Sequence, residues 1–219
     1  MFDLAIFDCD GVLVDSEFLA CGVVAEVLAE NGFATTGREI VARFAGTSDR
    51  DMFPRLEEEH HREISDDLKQ RIAEATRETL ATRLEPIPGI HDALQAIPLP
   101  KCVASGSEAK RVRVSLSRTG LLDHFNSHIF TRDEVEHGKP APDLFLLAAE
   151  RLQVDPGRCV VIEDSRPGVL AGVAAGMHVL GFTGASHCGP DRTATLREAG
   201  ANQVFESMHQ LPAILDALC

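Results

Sequence analysis

Leu4-Ala5-Ile6-Phe7-Asp8-Cys9-Asp10-Gly11-Val12-Leu13-Val14-Asp15-Ser16 runs from an apolar segment straight into two aspartates and a glycine. Leu4 to Cys9 reads as a buried strand, and the carboxylates at its end are an expensive arrangement. If both point into one pocket, mutual repulsion opposes their joint ionisation unless a cation or a shared proton relieves it. A cation of the Mg2+ type prefers such hard oxygen donors. One carboxylate is then available as a nucleophile and the other as a proton donor and acceptor. The alternative from spacing alone is an Asp-rich capped turn between strand and loop.

Outward from this stretch, short apolar strand candidates recur: Cys102 to Ser105, His128 to Thr131, Cys159 to Glu163, His178 to Phe182 and Asn202 to Phe205. Helical patterns separate them, around Pro88 to Ile97, Glu108 to Arg118, Pro142 to Leu152, Gly168 to Ala175, Asp191 to Ala199 and Ser207 to Leu218. Strand and helix in alternation predict an α/β fold, a Rossmann-like parallel sheet covered on both faces. Ligands of such sheets gather at the carboxyl ends of the strands. The segment 16–85 breaks the rhythm. Glu17 to Asn31 has helical apolar spacing and stops at Asn31-Gly32, Thr36-Gly37-Arg38-Glu39 has capping-box spacing, and Asp66 to Leu84 reads as a long helix. A small inserted α-helical cap domain over 16–85 is therefore expected, with 1–15 and 86–219 forming the catalytic core, because a connection this long is seldom a plain loop.

The whole chain narrows the partners. Its 219 residues carry 34 acids against 21 lysines and arginines, a net charge of −13, so the average surface repels nucleic acid and anionic membranes. An anionic ligand needs a local positive centre. The six cysteines are scattered without a CxxC pair, and Cys9, Cys102 and Cys159 sit in or beside apolar runs, which suits buried thiols in a reducing compartment. No leader-like or membrane-spanning run is evident. A cytoplasmic monomer is expected, with no nucleic acid or membrane partner.

Three further strand ends carry chemistry, each with an ordinary structural alternative. Val103-Ala104-Ser105-Gly106-Ser107 ends a strand with a hydroxyl and a glycine before a helix, which suits a phosphate oxygen; it is also an ordinary N-cap turn. Gly138-Lys139-Pro140-Ala141-Pro142-Asp143 holds a lysine in a stiff loop, either facing pocket carboxylates or simply exposed. Val160-Val161-Ile162-Glu163-Asp164-Ser165 ends an apolar strand in two acids, which either complete an oxygen-rich Mg2+ site with Asp8 or complement the dipole of the following helix.

Together, in this order and spacing, the four segments resemble the haloacid dehalogenase superfamily. Within it they resemble the phosphatase and phosphomutase branch with a helical cap, nearest the beta-phosphoglucomutase-like sugar-phosphate phosphatases such as 6-phosphogluconate phosphatase. The resemblance extends through Asp164-Ser165-x-x-Gly168 and Ala174-Ala175-Gly176-Met177. It implies a Mg2+-dependent phosphatase acting on a small phosphorylated sugar or sugar acid through an aspartyl phosphate. Asp8 would be the nucleophile and Asp10 the acid/base; Asp8, the Asp10 carbonyl and Asp164 would hold Mg2+, with Glu163 a direct or outlying ligand. Ser105, Gly106 and Lys139 would bind the phosphoryl group. In the cap, Phe44-Ala45-Gly46-Thr47-Ser48-Asp49 resembles the specificity loop, so Gly46, Thr47 and Ser48, with Glu17 nearby, would face the substrate.

The departures are informative. Asp10 argues against carbon–halogen cleavage, since the dehalogenases lack this second aspartate. Where the mutases carry a histidine and an arginine, this chain has Ala20 and Asp49, with Arg50 next door. Hydrolysis is thus expected over phosphomutation, and an idle sugar-phosphate sensor is disfavoured because the catalytic set is intact.

Overall fold

The computed structural model describes residues 1–44, 47, 49–125 and 128–218, with the backbone only for 49–51. Gly46 and Ser48, and the side chains of Asp49 and Arg50, lie outside the described residues. Six strands, β1 (Leu4–Phe7), β2 (Lys101–Ser105), β3 (Ile129–Thr131), β4 (Cys159–Glu163), β5 (His178–Phe182) and β6 (Gln203–Phe205), pair in parallel in the order β3-β2-β1-β4-β5-β6. This is the expected α/β fold. The chain winds outward from β1 in one direction and, after β3, in the other. The crevice between β1 and β4 is therefore the topological switch point, where such sheets bind ligands.

Side-chain alternation builds the two layers. Ala5 and Phe7 of β1, with Val160 and Ile162 of β4, pack under α5 (Ile90–Ala96), α6 (Ala109–Arg118) and α10 (Leu211–Leu218). Leu4 and Ile6, with Cys159 and Val161, pack under α7 (Asp143–Arg151), α8 (Arg166–Ala174) and the Leu196 face of α9 (Arg192–Glu198). Both sheet faces are thus apolar, which is why β1 and β4 read as unbroken hydrophobic runs rather than as alternating ones. Each fully buried Phe, Leu, Ile or Val contributes about 1.5–3 kcal/mol.

Between the turn after β1 and the start of α5, the helices of the described residues are α1 (Glu17–Glu30), α2 (Gly37–Phe44), α3 (Asp49–His60) and α4 (Asp66–Arg83). They share a separate apolar cluster of Val24, Leu28, Ile40, Phe44, Leu56 and Ile72 among others. Leu80 and Leu84, at the end of α4, belong instead to the core under α5 and α6. Two short segments connect the helices to the sheet side by side: Asp15 N–H donates to the Glu85 carbonyl at 3.0 Å, and Ile87 N–H to the Leu13 carbonyl at 3.0 Å.

β1 ends at Phe7, not Cys9. The Cys9 carbonyl accepts from both Leu13 N–H at 2.9 Å and Val14 N–H at 3.1 Å, so the chain is already turning at the aspartates. Gly11 sits in that turn at φ +81°, where a Cβ would lie 2.2 Å from Asp164 Oδ2. Only glycine permits both that dihedral and that approach.

Candidate active site

The carboxyl ends of β1, β2 and β4 and the loop after β5 converge on one buried polar cluster. Asp8 follows β1, its N–H bonded to the Ile162 carbonyl of β4 at 3.0 Å. Lys139, on the loop before α7, lies between Asp8 and Glu163, with Nζ 2.6 Å from Asp8 Oδ1 and 2.6 Å from Glu163 Oε1. Its ammonium also sits 4.8 Å from the Phe145 ring centroid. Burial alone would lower the lysine pKa, but the Asp8 and Glu163 charges outweigh it and the net direction is up. Lys139 is therefore a fixed positive charge.

Glu163 is almost fully buried and fully engaged. Its Oε2 accepts from Ser165 N–H at 2.8 Å and from Ser165 Oγ at 2.9 Å, while Oε1 takes Lys139. Ser165 caps α8 as well, accepting from Gly168 N–H at 3.1 Å. Room for the glutamate comes from Gly168, where a Cβ would lie 1.7 Å from Glu163 Oε1. These contacts make Glu163 an anchor of Lys139.

Asp10 stands in a different environment. Its carboxylate accepts from Ser16 Oγ at 2.5 Å, from Ser107 Oγ at 2.7 Å and from an Arg111 guanidinium N–H at 3.1 Å. Arg111 reaches Glu17 as well, at 3.8 Å, so the start of α1 and α6 meet over this carboxylate. Burial would raise the Asp10 pKa, yet Arg111 and the hydrogen bonds outweigh it and hold Asp10 below its ordinary value. Asp8 is driven the other way. Its burial is the largest influence, Lys139 opposes it, and Glu163, Asp164 and Asp10 add repulsion, leaving its pKa well above the usual carboxylate range. Two aspartates two residues apart are thus split in character by their surroundings.

Asp164 is buried beside Gly11 and accepts a contact from His187 Nε2 at 2.9 Å. The imidazole is shut off from solvent. Burial disfavours its charged form, but the Asp164 hydrogen bond and charge prevail and raise its pKa to about 10. Four carboxylates, those of Asp8, Asp10, Glu163 and Asp164, meet three cations, Lys139, Arg111 and the His187 imidazolium. Burial first, and then repulsion from Glu163, Asp164 and Asp10, keep the Asp8 pKa raised. An all-oxygen set of buried carboxylates with surplus negative charge fits a hard divalent cation.

Of the other expected residues, Ser105 is buried at the end of β2 and its Oγ accepts Ser107 N–H at 3.1 Å. Gly106 follows, with open space where a Cβ would stand. Thr47 stands just beyond α2, its N–H on the Phe44 carbonyl at 2.8 Å; among the described residues no hydrogen bond joins it to Asp8 or Asp10. Sequence reasoning missed the roles of Ser16, Ser107, Arg111 and His187. Ser16 and Ser107 lay inside stretches already singled out, whereas Arg111 comes from α6 and left no such signal. For His187 the available signal was weaker: it lies just past β5, at the ligand-binding edge of the sheet.

A family model described as "haloacid dehalogenase-like hydrolase" matches residues 2–176. The 6-phosphogluconate phosphatase of Escherichia coli is 29% identical over 190 residues, 86% of each chain. A phosphorylated carbohydrates phosphatase of Thermotoga maritima is 34% identical over 205 residues, covering 91% of this chain and 92% of that protein. Among solved structures, a conserved haloacid dehalogenase-like protein of unknown function from Agrobacterium tumefaciens superposes with a TM-score of 0.90 at 38% identity, over 100% of this chain and 99% of that one.

Proposed function

Because this chain belongs to the haloacid dehalogenase-like hydrolases, we propose that it hydrolyses the phosphoric monoester of a small sugar or sugar acid, with Asp8 as nucleophile and Asp10 as proton carrier. The observation that carries this reading is the division of labour between the two aspartates. Asp8 faces a buried ammonium 2.6 Å away, while Asp10 is held by two hydroxyls and a guanidinium. The phosphorylated carbohydrates named for the relatives point to the substrate class.

In the first half-reaction an Asp8 oxygen forms a bond to phosphorus as the bond to the sugar oxygen breaks. Asp10, protonated, gives its proton to that leaving oxygen. In the second half Asp10, now a carboxylate, takes a proton from water, whose oxygen attacks phosphorus, and Asp8 leaves as a carboxylate. Inorganic phosphate and the free alcohol are the products. The hydrogen-bonded Asp10 of this structure is in the form the second half needs. For the first half, the Arg111 contact must give way as the leaving oxygen approaches. Lys139 offsets phosphoryl charge from a fixed position, so little reorganisation is needed in the transition state. Ser105 and the backbone at Gly106 are the proposed phosphoryl cradle.

Asp8, Asp164 and the Asp10 carbonyl are the groups that would hold Mg2+. When bound, it would neutralise the surplus carboxylate charge and the charge on the phosphoryl oxygens. Ala20 lies within α1 and offers no imidazole where the resembled mutases have histidine, which supports water over a second sugar phosphate as acceptor. Cap residues 46–48 and Glu17 are proposed to select the sugar, in a chain proposed to be a cytoplasmic monomer. No helix of the described residues is long and apolar enough to cross a membrane.

The test is phosphate release from p-nitrophenyl phosphate and from a panel of phosphorylated sugars and sugar acids. Turnover that needs Mg2+, stops with EDTA and disappears in Asp8→Asn is expected. Turnover retained by Asp8→Asn would sink the mechanism; a bisphosphate-primed isomerised sugar phosphate would turn the enzyme into a mutase.

A further inference from the structure

We propose that His187 is a positioning residue that fixes one oxygen of Asp164 so that the carboxylate offers its other oxygen to the divalent cation. This rests on the metal reading of Asp164 given above. His187 Nε2 lies 2.9 Å from Asp164 Oδ2, and the imidazole side chain has no exposed surface. The ring makes no comparable bond at its other nitrogen, since among the described residues the buried Nδ1 has no hydrogen-bond partner. A histidine retained only for stability would be expected to satisfy both nitrogens or to be replaced by an apolar side chain. The remaining contact at Nε2 is a long one, to Cys188 Sγ at 3.8 Å.

The surroundings are built around the pair. At Gly11 a Cβ would stand 2.2 Å from Asp164 Oδ2 and 2.9 Å from His187 Cε1, so the turn that carries Asp8 and Asp10 leaves room for this carboxylate and this ring together. The loop after β5 is pinned next to His187: Asp15 Oδ1 accepts from Ser186 Oγ at 2.8 Å and from Ser186 N–H at 3.3 Å. Cys188 N–H closes the turn on the Ala185 carbonyl at 3.0 Å. A carboxylate with one oxygen held by a rigid donor loses the freedom to rotate away from a cation. Groups that orient a metal ligand in this way typically change metal affinity or activity by about 10- to 100-fold when removed.

Mn2+ binding to the cation-free protein, followed by electron paramagnetic resonance and competed with Mg2+, tests this apart from turnover. His187→Phe keeps the ring volume and deletes the donor, and it serves if His187→Ala does not fold. The expected result is Mn2+ binding about 10- to 100-fold weaker than wild type, with kcat recovering most of its value at saturating Mg2+. His187→Gln, which keeps an N–H donor, should restore most of the affinity. Unchanged Mn2+ affinity in folded His187→Phe would overturn the role of His187 alone. If wild type and Asp164→Asn both fail to bind Mn2+, the metal reading of Asp164 falls, and this inference falls with it.

Discussion

Gly168→Ala is the substitution whose effect follows most directly from the geometry. Gly168 lies in the first turn of α8, and its backbone is compatible with alanine, which a helix interior favours over glycine by about 1 kcal/mol. Propensity alone predicts a small gain in stability. Yet the new methyl would lie 1.7 Å from Glu163 Oε1, 1.9 Å from Cδ and 2.4 Å from Oε2, distances no non-bonded atoms tolerate. Glu163 must leave, and with it goes the second carboxylate of Lys139 and the contacts from Ser165. Breaking a buried ion pair costs about 3–5 kcal/mol, so the net loss is about 2–4 kcal/mol. For a chain of this size each kcal/mol moves Tm by roughly 2–4 °C, so a fall of about 5–15 °C follows. Lys139, freed from one anchor, should also lower phosphatase kcat/KM by about 100-fold. Differential scanning calorimetry and p-nitrophenyl phosphate turnover read the two effects. Adding Glu163→Ala to Gly168→Ala should cost less than the sum of the single changes, because the second removes what the first collides with. A Gly168→Ala protein that melts within about 1 °C of wild type and keeps its activity would refute the reasoning.

Two further outcomes come from the opposite electrostatics of the aspartates. Asp8 has a folded pKa above its unfolded value, so its contribution to stability is full below about pH 4 and is lost as pH rises through the folded pKa. In EDTA at pH 8, Asp8→Asn should therefore melt above wild type, by roughly 2–4 °C for each kcal/mol recovered, and the gap should close towards pH 4; a lower Tm at pH 8 would contradict this. Asp10 has the reverse sign, with a folded pKa below its unfolded value, so its contribution is present above about pH 4 and lost as pH falls through the folded value. Arg111→Met should cost about 1.5–3 kcal/mol near neutrality, with the difference from wild type shrinking below pH 4 in denaturant titrations; a pH-independent difference would remove Asp10 as its source.

The sheet was legible because β1, β3 and β4 are buried throughout and β2 and β5 from their second residue on, so that each leaves an apolar run in the sequence. Helix ends were less legible. The pattern over Pro88 to Ile97 starts two residues before α5, since Gly89 takes a left-handed φ of +81° at the N-cap and the helix begins at Ile90. Ser207 to Leu218 reads as one helix, but a single 3-10 turn over Met208–Gln210 precedes α10, whose start at Leu211 puts Pro212 in the first turn, where its missing N–H costs nothing. Of the polar cluster, the groups on strand ends, Asp8, Asp10, Ser105, Glu163 and Asp164, could be read, because an abrupt change from apolar to acidic or hydroxyl residues is visible in one dimension. Partners supplied from elsewhere were not. Arg111 reaches Asp10 from the first turn of α6, and His187 reaches Asp164 from a loop 23 residues on, each through tertiary packing that leaves no local pattern.

The central claim, that Asp8 itself carries the phosphoryl group, is tested most directly by acid-quenching the enzyme during steady-state turnover of a phosphorylated sugar and mapping the label by peptide mass spectrometry. The account predicts a phosphorylated, hydroxylamine-labile aspartate in the peptide spanning Asp8, absent in Asp8→Asn and more abundant in Asp10→Asn, where water attack is slowed. Full turnover with no phosphorylated aspartate, or with the label on another residue, would contradict it.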